Sequence, residues 1–352
     1  MGEATELIIA LDGGGHGLEG VMLLGVHAVP GVAFFFIPEW GGSRLVTQEQ
    51  TGARWKADGA LLLLTVFWGL TFVVVKDALA FADPFTFITL RFVVGAAVLA
   101  VIARGRMFAP GIVPKGLLLA TVLFLCFALQ TVGLQTTTPS RAAFLTGLNV
   151  LFVPLLSMVL LRRLPRWGTS VGVVLAALGL YWLTRPTPDD ALPGGVGGLH
   201  LGDWLSIGCA LAYAGHILLT ERFASRDNAV GLVAVQLVGV AVMSALCLPF
   251  VERKLEWSQP LVVAVLTCGV LASAVAILVQ TWGQARTNAV RAALIFAMEP
   301  VFASAYSVAV GREVLGLKEW LGGALIVVGV FASELGTVVW DGWRARGRTP
   351  AA

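Results

Sequence analysis

The residue pair with the clearest chemical potential is Glu299-Pro300, which lies inside the otherwise apolar stretch 289–301. An acidic side chain is costly in apolar surroundings, and proline removes a backbone donor from a helix that finds no water there. The Glu299 carboxyl could bind a cationic group, carry a proton, or accept hydrogen bonds from N–H groups freed around Pro300. A neutral acid held in a structural hydrogen bond is the alternative to a functional role.

The tract around Glu299 has a second copy earlier in the chain. At a shift of 150 residues Arg141-Ala142-Ala143 aligns with Arg291-Ala292-Ala293, and further matches continue without a gap across some fifty residues. In that register Glu299 aligns with Asn149. The chain therefore contains a duplicated unit, whose two copies carry unlike polar residues at equivalent positions.

Polar and aromatic residues recur at related positions in other apolar stretches. At a shift of 145 residues Trp68 aligns with Tyr213, and Arg91 with Gln236. Such residues can line a substrate pathway. The alternatives are structural: an aromatic ring can pack in the core, an arginine can snorkel to the membrane surface or form an ion pair, and an amide can hydrogen-bond a neighbouring helix. We predict a central cavity lined by Trp68, Thr71, Arg91, Gln130, Asn149, Tyr213, His216, Gln236, Gln280 and Glu299.

Two of these residues are candidates for carrying protons. Glu299 is the first, because a carboxyl group in an apolar span suits a coupling site, and His216 is the second, because histidine titrates near neutral pH. A histidine that hydrogen-bonds a neighbouring helix is the alternative for His216. Arg141 and Arg291 stand near the starts of their predicted helices, where snorkelling explains them without a function.

The composition excludes a soluble globular protein. Hydrophobic residues make up 57% of the 352 residues and charged residues 13%, with a mean hydropathy of +0.86. An average soluble domain has about 25% charged residues. The net charge of +3 is too small to indicate nucleic-acid binding. We therefore predict a multi-pass protein of the cell membrane (inner or plasma membrane), in contact with the lipid bilayer.

No enzymatic reaction, cofactor or metal site is predicted. The four cysteines lie singly inside apolar runs, where cysteine usually behaves as a small apolar residue. The sequence contains neither the His-Glu-x-x-His pattern of zinc peptidases nor a Gly-x-x-x-x-Gly-Lys-Ser/Thr nucleotide loop. The missing nucleotide loop argues against transport driven by ATP.

Apolar runs of about 20 residues, the length of a membrane-spanning helix, predict ten spans. They cover residues 59–76, 84–103, 115–135, 140–161, 168–184, 202–220, 229–251, 260–282, 289–310 and 318–339. A linker rich in Pro, Gly and Asp separates the two copies. The predicted domains are an extension at 1–57, a first repeat at 58–184, the linker at 185–201, a second repeat at 202–340 and a basic cytoplasmic tail at 341–352. The extension is expected to be peripheral or disordered, with an extra span or an over-extended start as alternatives.

Lysine and arginine residues indicate the orientation of these spans. Sixteen fall in loops on one side and seven on the other, with Arg91 left inside a span, and the richer side is the cytoplasmic one. Both ends of the ten-helix body then face the cytoplasm, and five spans per copy place the second copy upside down. The predicted fold is all-α, with ten transmembrane helices in two inverted five-helix repeats, a construction that recurs in secondary transporters.

Several tracts, taken together and in order, resemble the EamA domain family of the drug/metabolite transporter (DMT) superfamily. They are Trp68-Gly69, Leu90-Arg91-Phe92, and residues 292–300 with Glu299-Pro300, and glycines in the last helix of each copy add to them. The resemblance covers residues 59–339 as two units. It implies a ten-helix inverted-repeat carrier that exports or exchanges small metabolites, often amino acids, their relatives or toxic compounds, and that has no prosthetic group. The chain departs from the family pattern at Asn149, which stands where the second unit has Glu299, and in its N-terminal extension.

These observations predict an exporter of small metabolites that works by alternating access, with protons as the candidate coupling ion and a monomer as the default state. A passive facilitator is the alternative within transport, and a membrane-embedded assembly or interaction protein is the alternative outside it. The alternatives differ in whether the polar residues converge on a water-accessible cavity or disperse into separate helix contacts.

Overall fold

The computed structural model of the chain describes residues 6–8, 23–25, 48–162, 167–184, 200–225, 227–314, 316–318, 320–329 and 331–332. The chain divides into two compact units, Met1–Gln50 and Thr51–Ala352. In the first unit, β1 (Glu6–Ile8) pairs antiparallel with β2 (Leu23–Gly25). Most of the predicted extension and linker and all of the predicted tail lie outside the described residues.

Helices make up nearly all of the remaining described residues. A π-helical segment, Cys268–Val275, joins α9 directly to α10. The helices are α1 Gln48–Ala78, α2 Pro84–Ala103, α3 Ile112–Gly133, α4 Pro139–Thr146, α5 Asn149–Leu161, α6 Trp167–Thr184, α7 Leu201–Phe223, α8 Ala229–Cys247, α9 Gln259–Thr267, α10 Ala276–Gln284, α11 Ala289–Phe296, α12 Glu299–Ala309 and α13 Trp320–Gly329.

Seven helical stretches among the described residues are long and apolar enough to cross a membrane. Large apolar side chains on their outer faces, such as Val159 and Leu63, are exposed, as expected where lipid rather than water surrounds a helix bundle. Two shorter apolar stretches, Ser170–Gly179 and Trp320–Gly329, accompany them. The seven are Trp55–Ala78, Pro84–Ala103, Ile112–Gly133, Pro139–Leu160, Ala229–Phe250, Gln259–Gln284 and Ala289–Ala309.

Two predicted spans, 140–161 and 289–310, are broken rather than continuous helices. The first breaks between α4 and α5 at Gly147-Leu148, and the second between α11 and α12 at Ala297-Met298. These positions are equivalent in the two copies, although Pro300 follows only the second break. The break is therefore a property of the repeated backbone and not of the proline. Discontinuous helices of this kind form the central sites of many transporters.

The start of each short half-helix is capped in the same way. Thr138 Oγ1 accepts a hydrogen bond from Arg141 N (3.3 Å) at the start of α4, and Asn288 Oδ1 accepts one from Arg291 N (2.8 Å) at the start of α11. Each cap satisfies one of the N–H groups that the first turn of a helix leaves free. Caps at equivalent positions fix α4 and α11 in equivalent local conformations.

Helices from the two repeats approach one another closely at glycines. A methyl group on Gly69 of α1 would lie 2.8 Å from Ala303 N and 2.9 Å from Glu299 O of α12. A methyl group on Gly95 of α2 would lie 2.9 Å from Gly269 O in the π-helical segment. Small residues that bring two backbones together are the usual packing device inside membranes, and here they join the first repeat to the second.

Both arginines of the repeated tract are paired, so snorkelling does not describe them. Arg141 Nε lies 2.9 Å from Asp203 Oδ1, and Arg291 Nη2 lies 2.7 Å from Asp58 Oδ2. Asp58 and Asp203 are themselves equivalent at the shift of 145 residues. The same ion pair is thus made twice, each time between one repeat and the other.

Candidate functional site

A cavity of about 40 Å³ lies where α1, α2, α3, α4, α7 and α12 meet. It has room for roughly three water molecules, since each needs about 10–15 Å³ on this measure. Six of the ten side chains predicted from the sequence are among its walls. The lining residues are Trp68, Thr71, Phe72, Arg91, Leu123, Cys126, Phe127, Gln130, Thr146, Cys209, Tyr213 and Glu299.

Arg91 supplies the positive charge of this cavity. Its side chain is 2% exposed, and its Nε donates a hydrogen bond to Ser273 Oγ (3.2 Å) in the π-helical segment. Its Cζ lies 4.7 Å from the ring centre of Phe127 and 5.4 Å from that of Phe92, where the ring faces stabilise a cation. Ser273 is its one hydrogen-bond partner within the described part of the chain, so the remaining guanidinium donors are available to a ligand.

Glu299 supplies the negative charge and is the first residue of α12. It is 7% exposed, and among the described residues none donates a hydrogen bond to its carboxyl group. Within the described ranges the carboxyl therefore neither caps backbone N–H groups around Pro300 nor takes part in a structural hydrogen bond. The geometry leaves it able to meet a cationic group or to hold a proton.

Aromatic rings close one wall of the cavity. The ring centroids of Trp68, Tyr213 and Phe296 lie 5.6–6.0 Å apart in edge-on and tilted arrangements. Trp68 Nε1 donates a hydrogen bond to Ala272 O (3.1 Å) in the π-helical segment. A π-helical turn leaves backbone groups out of register with an α-helix, and Trp68 satisfies one of them. This bond fixes the indole ring at the junction of the two repeats.

Several lining residues were not predicted from the sequence, although helical spacing points to them. Cys126 lies one turn before Gln130, Cys209 one turn before Tyr213, and Phe72 one turn after Trp68. Residues four apart on a helix share a face, so each predicted residue indicated a neighbour on the cavity side. Thr146 had a weaker signal: it ends the short half-helix α4, a boundary that hydropathy does not reveal.

The other four predicted residues lie outside the cavity lining. His216 Nε2 donates to Gln236 Oε1 (2.9 Å), and Asn149 Nδ2 donates to Thr146 O (3.1 Å). Gln280 is fully buried in α10. At the shifts of 145 and 150 residues, these four are the equivalents of Thr71, Arg91, Glu299 and Gln130, all of which do line the cavity.

Comparisons with known proteins identify the family of this chain. The model of the EamA-like transporter family matches residues 55–185 and 200–334, one segment for each repeat. An uncharacterized transporter of Archaeoglobus fulgidus is 31% identical over 300 residues, which cover 85% of this chain and 91% of the relative. A second uncharacterized transporter of the same organism is 28% identical over 132 residues, covering 36% of this chain and 47% of the relative.

A solved crystal structure shares the fold. It superposes with a TM-score of 0.65 at 20% identity and covers 80% of this chain and 98% of the other chain. The resemblance noted in the sequence is confirmed by the family match, and members of this family are transporters and not enzymes. Its apolar helices, its two matched repeats and its relatives together show that this chain is a multi-pass membrane transporter of the EamA-like transporter family.

Proposed function

We propose that this transporter is a secondary-active exporter of small zwitterionic metabolites such as amino acids. The observation that supports this substrate class is the presence of one basic and one acidic side chain, Arg91 and Glu299, in the walls of one small cavity. Arg91 would bind the carboxylate of such a substrate through its unused donors. Glu299 would bind the ammonium group, with the faces of Trp68 and Tyr213 adding cation–π attraction.

We further propose alternating access as the mechanism. The cavity holds about three water molecules, fewer heavy atoms than any amino acid contains, so a substrate requires a more open conformation. Opening toward one side and then the other is the motion that two similar repeats around a central site permit. Without a nucleotide loop, coupling falls to an ion. Glu299 is the first candidate for a proton carrier, and His216, which is bonded to Gln236 outside the cavity, is the second.

Ten spans in two inverted repeats remain our proposal for the membrane topology. Besides the seven long stretches, α6, α7 and α13 supply three further helices. Inversion is supported by which helix ends meet. Gly283, at the end of α10, packs against Leu61 near the start of α1, whereas Gly202, at the start of α7, packs against Gly133 at the end of α3. We propose repeats at 58–184 and 202–340, cytoplasmic ends, a cell-membrane location and a monomer.

Arg91→Gln tests the substrate class directly. We expect the purified parent to bind a free amino acid more tightly than its ethyl ester, which lacks the carboxylate. Arg91→Gln should remove most of that preference, a loss of about ten-fold to a hundred-fold in affinity ratio, the size of a charge-assisted hydrogen bond of roughly 1.5–3 kcal/mol. The dissociation constants of the amino acid and of its ester are measured for both proteins by calorimetry or by a scintillation binding assay.

Arg106→Gln is the matched control, because Arg106 lies just after the end of α2, the helix that carries Arg91, and is exposed. It should keep the parent's preference for the free acid. A parent protein that binds the ester as well as the free amino acid would contradict the role of Arg91, and the zwitterion proposal with it.

A further inference from the structure

Four buried polar residues form a set that mirrors the cavity without being part of it. Asn149, His216, Gln236 and Gln280 are each at most 1% exposed. They are the equivalents, in the other repeat, of the cavity residues Glu299, Thr71, Arg91 and Gln130. We call these four residues the mirror set. Because the two repeats are equivalent in sequence, the mirror set is the counterpart of part of the cavity lining.

Three of the four residues of the mirror set carry polar atoms that are unpaired among the described residues, whereas both amide atoms of Gln236 are bonded. Within the described part of the chain, Gln280 Nε2 and Oε1, His216 Nδ1 and Asn149 Oδ1 have no hydrogen-bond partner. A buried polar group without a partner is destabilising, and native structures retain few of them without a reason. A side chain that serves only to bind one helix to another would make at least one hydrogen bond, and Gln280 makes none among the described residues.

Gln284, one turn further along the same helix, differs from Gln280 in that one of its two amide atoms is bonded, although its Oε1 has no partner among the described residues. It is 1% exposed, and its Nε2 donates to Ile217 O of α7 (3.0 Å). Ile217 follows His216 directly, and Gln280 and Gln284 share a face of α10 because they are four residues apart. Gln280 therefore lies on the face of α10 from which Gln284 contacts α7, yet neither atom of its amide has a partner among the described residues.

We propose that the mirror set is a second substrate half-site, closed in this conformation and opened when the two repeats exchange conformations. This inference rests on the proposed carrier function. The half-site carries two amides of glutamine, one of asparagine and an imidazole, where the cavity has Arg91 and Glu299. It would bind the same zwitterionic substrate through neutral hydrogen bonds and so hold it more weakly than the charged cavity does. We assign it to substrate release.

Gln280→Met separates this assignment from a purely structural role. Methionine keeps the length of the side chain and removes its unused polar atoms. The thermal midpoint of the purified variant should equal or exceed the parent's, because no hydrogen bond is lost in the closed state. Exchange of a labelled amino acid across proteoliposomes should nevertheless slow about ten-fold, while the dissociation constant stays within about two-fold of the parent's, since the charged cavity is intact.

Gln284→Met is the matched control, because it breaks an existing bond and should lower the midpoint. A Gln280→Met midpoint as low as that of Gln284→Met, or an exchange rate within two-fold of the parent's, would overturn the proposal. A parent protein that exchanges no substrate would refute the carrier function instead. In that case the thermal midpoints of Gln280→Met and Gln284→Met would still show whether Gln280 has a structural role.

A different observation concerns the ion pairs that join the repeats at opposite ends of the bundle. Asp58 lies on α1 near Leu61, against which the end of α10 packs, and Asp203 lies near the contact between Gly202 and Gly133 at the end of α3. The Arg291–Asp58 side chains are 12% and 11% exposed, and the Arg141–Asp203 side chains 17% and 0%. Each pair is therefore largely shielded from solvent.

Each arginine stands on a short half-helix that leads to the cavity. Helix α4 carries Arg141 near its start and the lining residue Thr146 at its end, about 8 Å away at 1.5 Å per residue. Helix α11 carries Arg291 and is followed, after the break at Ala297-Met298, by Glu299, the first residue of α12. A change at the cavity can therefore reach Arg141 through one continuous helix, and Arg291 through the break and then α11.

The two pairs are not equally bonded. Asp203 also accepts hydrogen bonds from Thr137 Oγ1 (2.8 Å) and from His200 N (2.9 Å). Thr287 is the equivalent of Thr137, and neither Thr287 Oγ1 nor Asp58 Oδ1 has a hydrogen-bond partner in the described ranges. We propose that Arg291–Asp58 and Arg141–Asp203 are two latches, each closing one end of the transport pathway, with the Asp203 latch the tighter in this conformation. This assignment also rests on the proposed alternating access.

Side-specific labelling tests the latches. Cys209 lines the cavity and serves as reporter in full-length protein whose other three cysteines are replaced by alanine. An impermeant maleimide is applied to intact cells and to inside-out vesicles. Asp58→Asn should raise the inside-out to intact labelling ratio about ten-fold and Asp203→Asn should lower it about as much, because each substitution releases one end. The charge-exchanged pair Asp58→Arg with Arg291→Asp should restore the parent ratio.

Asp77→Asn is the control, because the Asp77–Arg312 pair also measures 2.7 Å but its side chains are 43% and 55% exposed, where ion pairs contribute little. Shifts in the same direction for Asp58→Asn and Asp203→Asn, or no shift in monodisperse protein, would overturn the latch assignment. If the two variants shift the labelling ratio in opposite directions but the parent protein transports no substrate, the latch assignment stands and the carrier function is refuted.

Discussion

Gly69→Ala is expected to abolish most transport while leaving the protein inserted in the membrane. The added methyl group would lie 2.8–2.9 Å from backbone atoms of Ala303 and Glu299 in α12, and a helix backbone cannot move aside as a side chain can. Helix α1 carries Trp68 and Thr71 on the cavity wall, so a displaced α1 moves that wall away from Glu299. Overpacking of this kind costs about 1–3 kcal/mol. We expect initial transport rates to fall about ten-fold or more.

Gly59→Ala provides the comparison on the same helix, since a methyl group there meets no atom within 4 Å. Alanine is the better helix former by up to about 1 kcal/mol, so its thermal midpoint should be equal or higher and its transport unchanged. The two variants are compared by thermal unfolding in detergent and by transport in proteoliposomes. Equal behaviour of the two would mean that α1 and α12 do not need their close contact.

Glu299→Gln is expected to abolish uphill transport. Glutamine keeps the size of the side chain, loses the charge that would bind an ammonium group, and cannot exchange a proton. Because the Glu299 carboxyl has no hydrogen-bond partner among the described residues, the substitution breaks no bond there, and the thermal midpoint should stay close to the parent's. The uptake driven by an imposed pH gradient should disappear.

The residual activity of Glu299→Gln separates two roles. Downhill exchange that persists would assign Glu299 to proton coupling, whereas loss of binding as well would assign it to the ammonium group. Uphill transport at the parent's rate would contradict both roles and leave the residue a structural one. Arg106→Gln is the control for general loss of function, because Arg106 is exposed and does not line the cavity.

The duplication explains how much of this arrangement the sequence predicts. Aligning the two copies at a shift of 150 residues places Asn149 opposite Glu299, and these are the first residues of α5 and α12. The same alignment relates the caps Thr138 and Asn288. The family resemblance followed from tracts containing Trp68 and Arg91, and the family match confirms it. Two aligned copies of a sequence fold into the same local backbone, so the alignment predicts which caps and helix starts correspond.

The breaks and the cross-repeat contacts could not be predicted in this way. Hydropathy stays high through Gly147 and through Ala297. A hydropathy pattern therefore predicts one continuous span at each place, where the structure has two half-helices. The partners Arg291 and Asp58 are 233 residues apart, and no local spacing links them. Long-range contacts of this kind depend on how helices pack, which periodicity along one helix does not encode.

The choice between equivalent residues was also beyond the sequence. Gln130 and Gln280 stand in matching Gln-Thr tracts, yet Gln130 lines the cavity and Gln280 lies outside its lining. In one conformation, equivalent positions of the two repeats lie in different surroundings, so the same residue type has two roles. Sequence alignment assigns both to a site, and only the arrangement of the helices distinguishes them.

Uptake of labelled amino acids, amines and nucleosides by proteoliposomes, with and without an imposed pH gradient, tests the central claim most directly. We expect amino acids to enter faster than into protein-free liposomes, to accumulate against their gradient only when the pH gradient is imposed, and to be favoured over amines and nucleosides. Entry that is only downhill would indicate a passive facilitator. Amino-acid entry no faster than into protein-free liposomes, from protein shown to be folded, would contradict the proposed carrier of zwitterions.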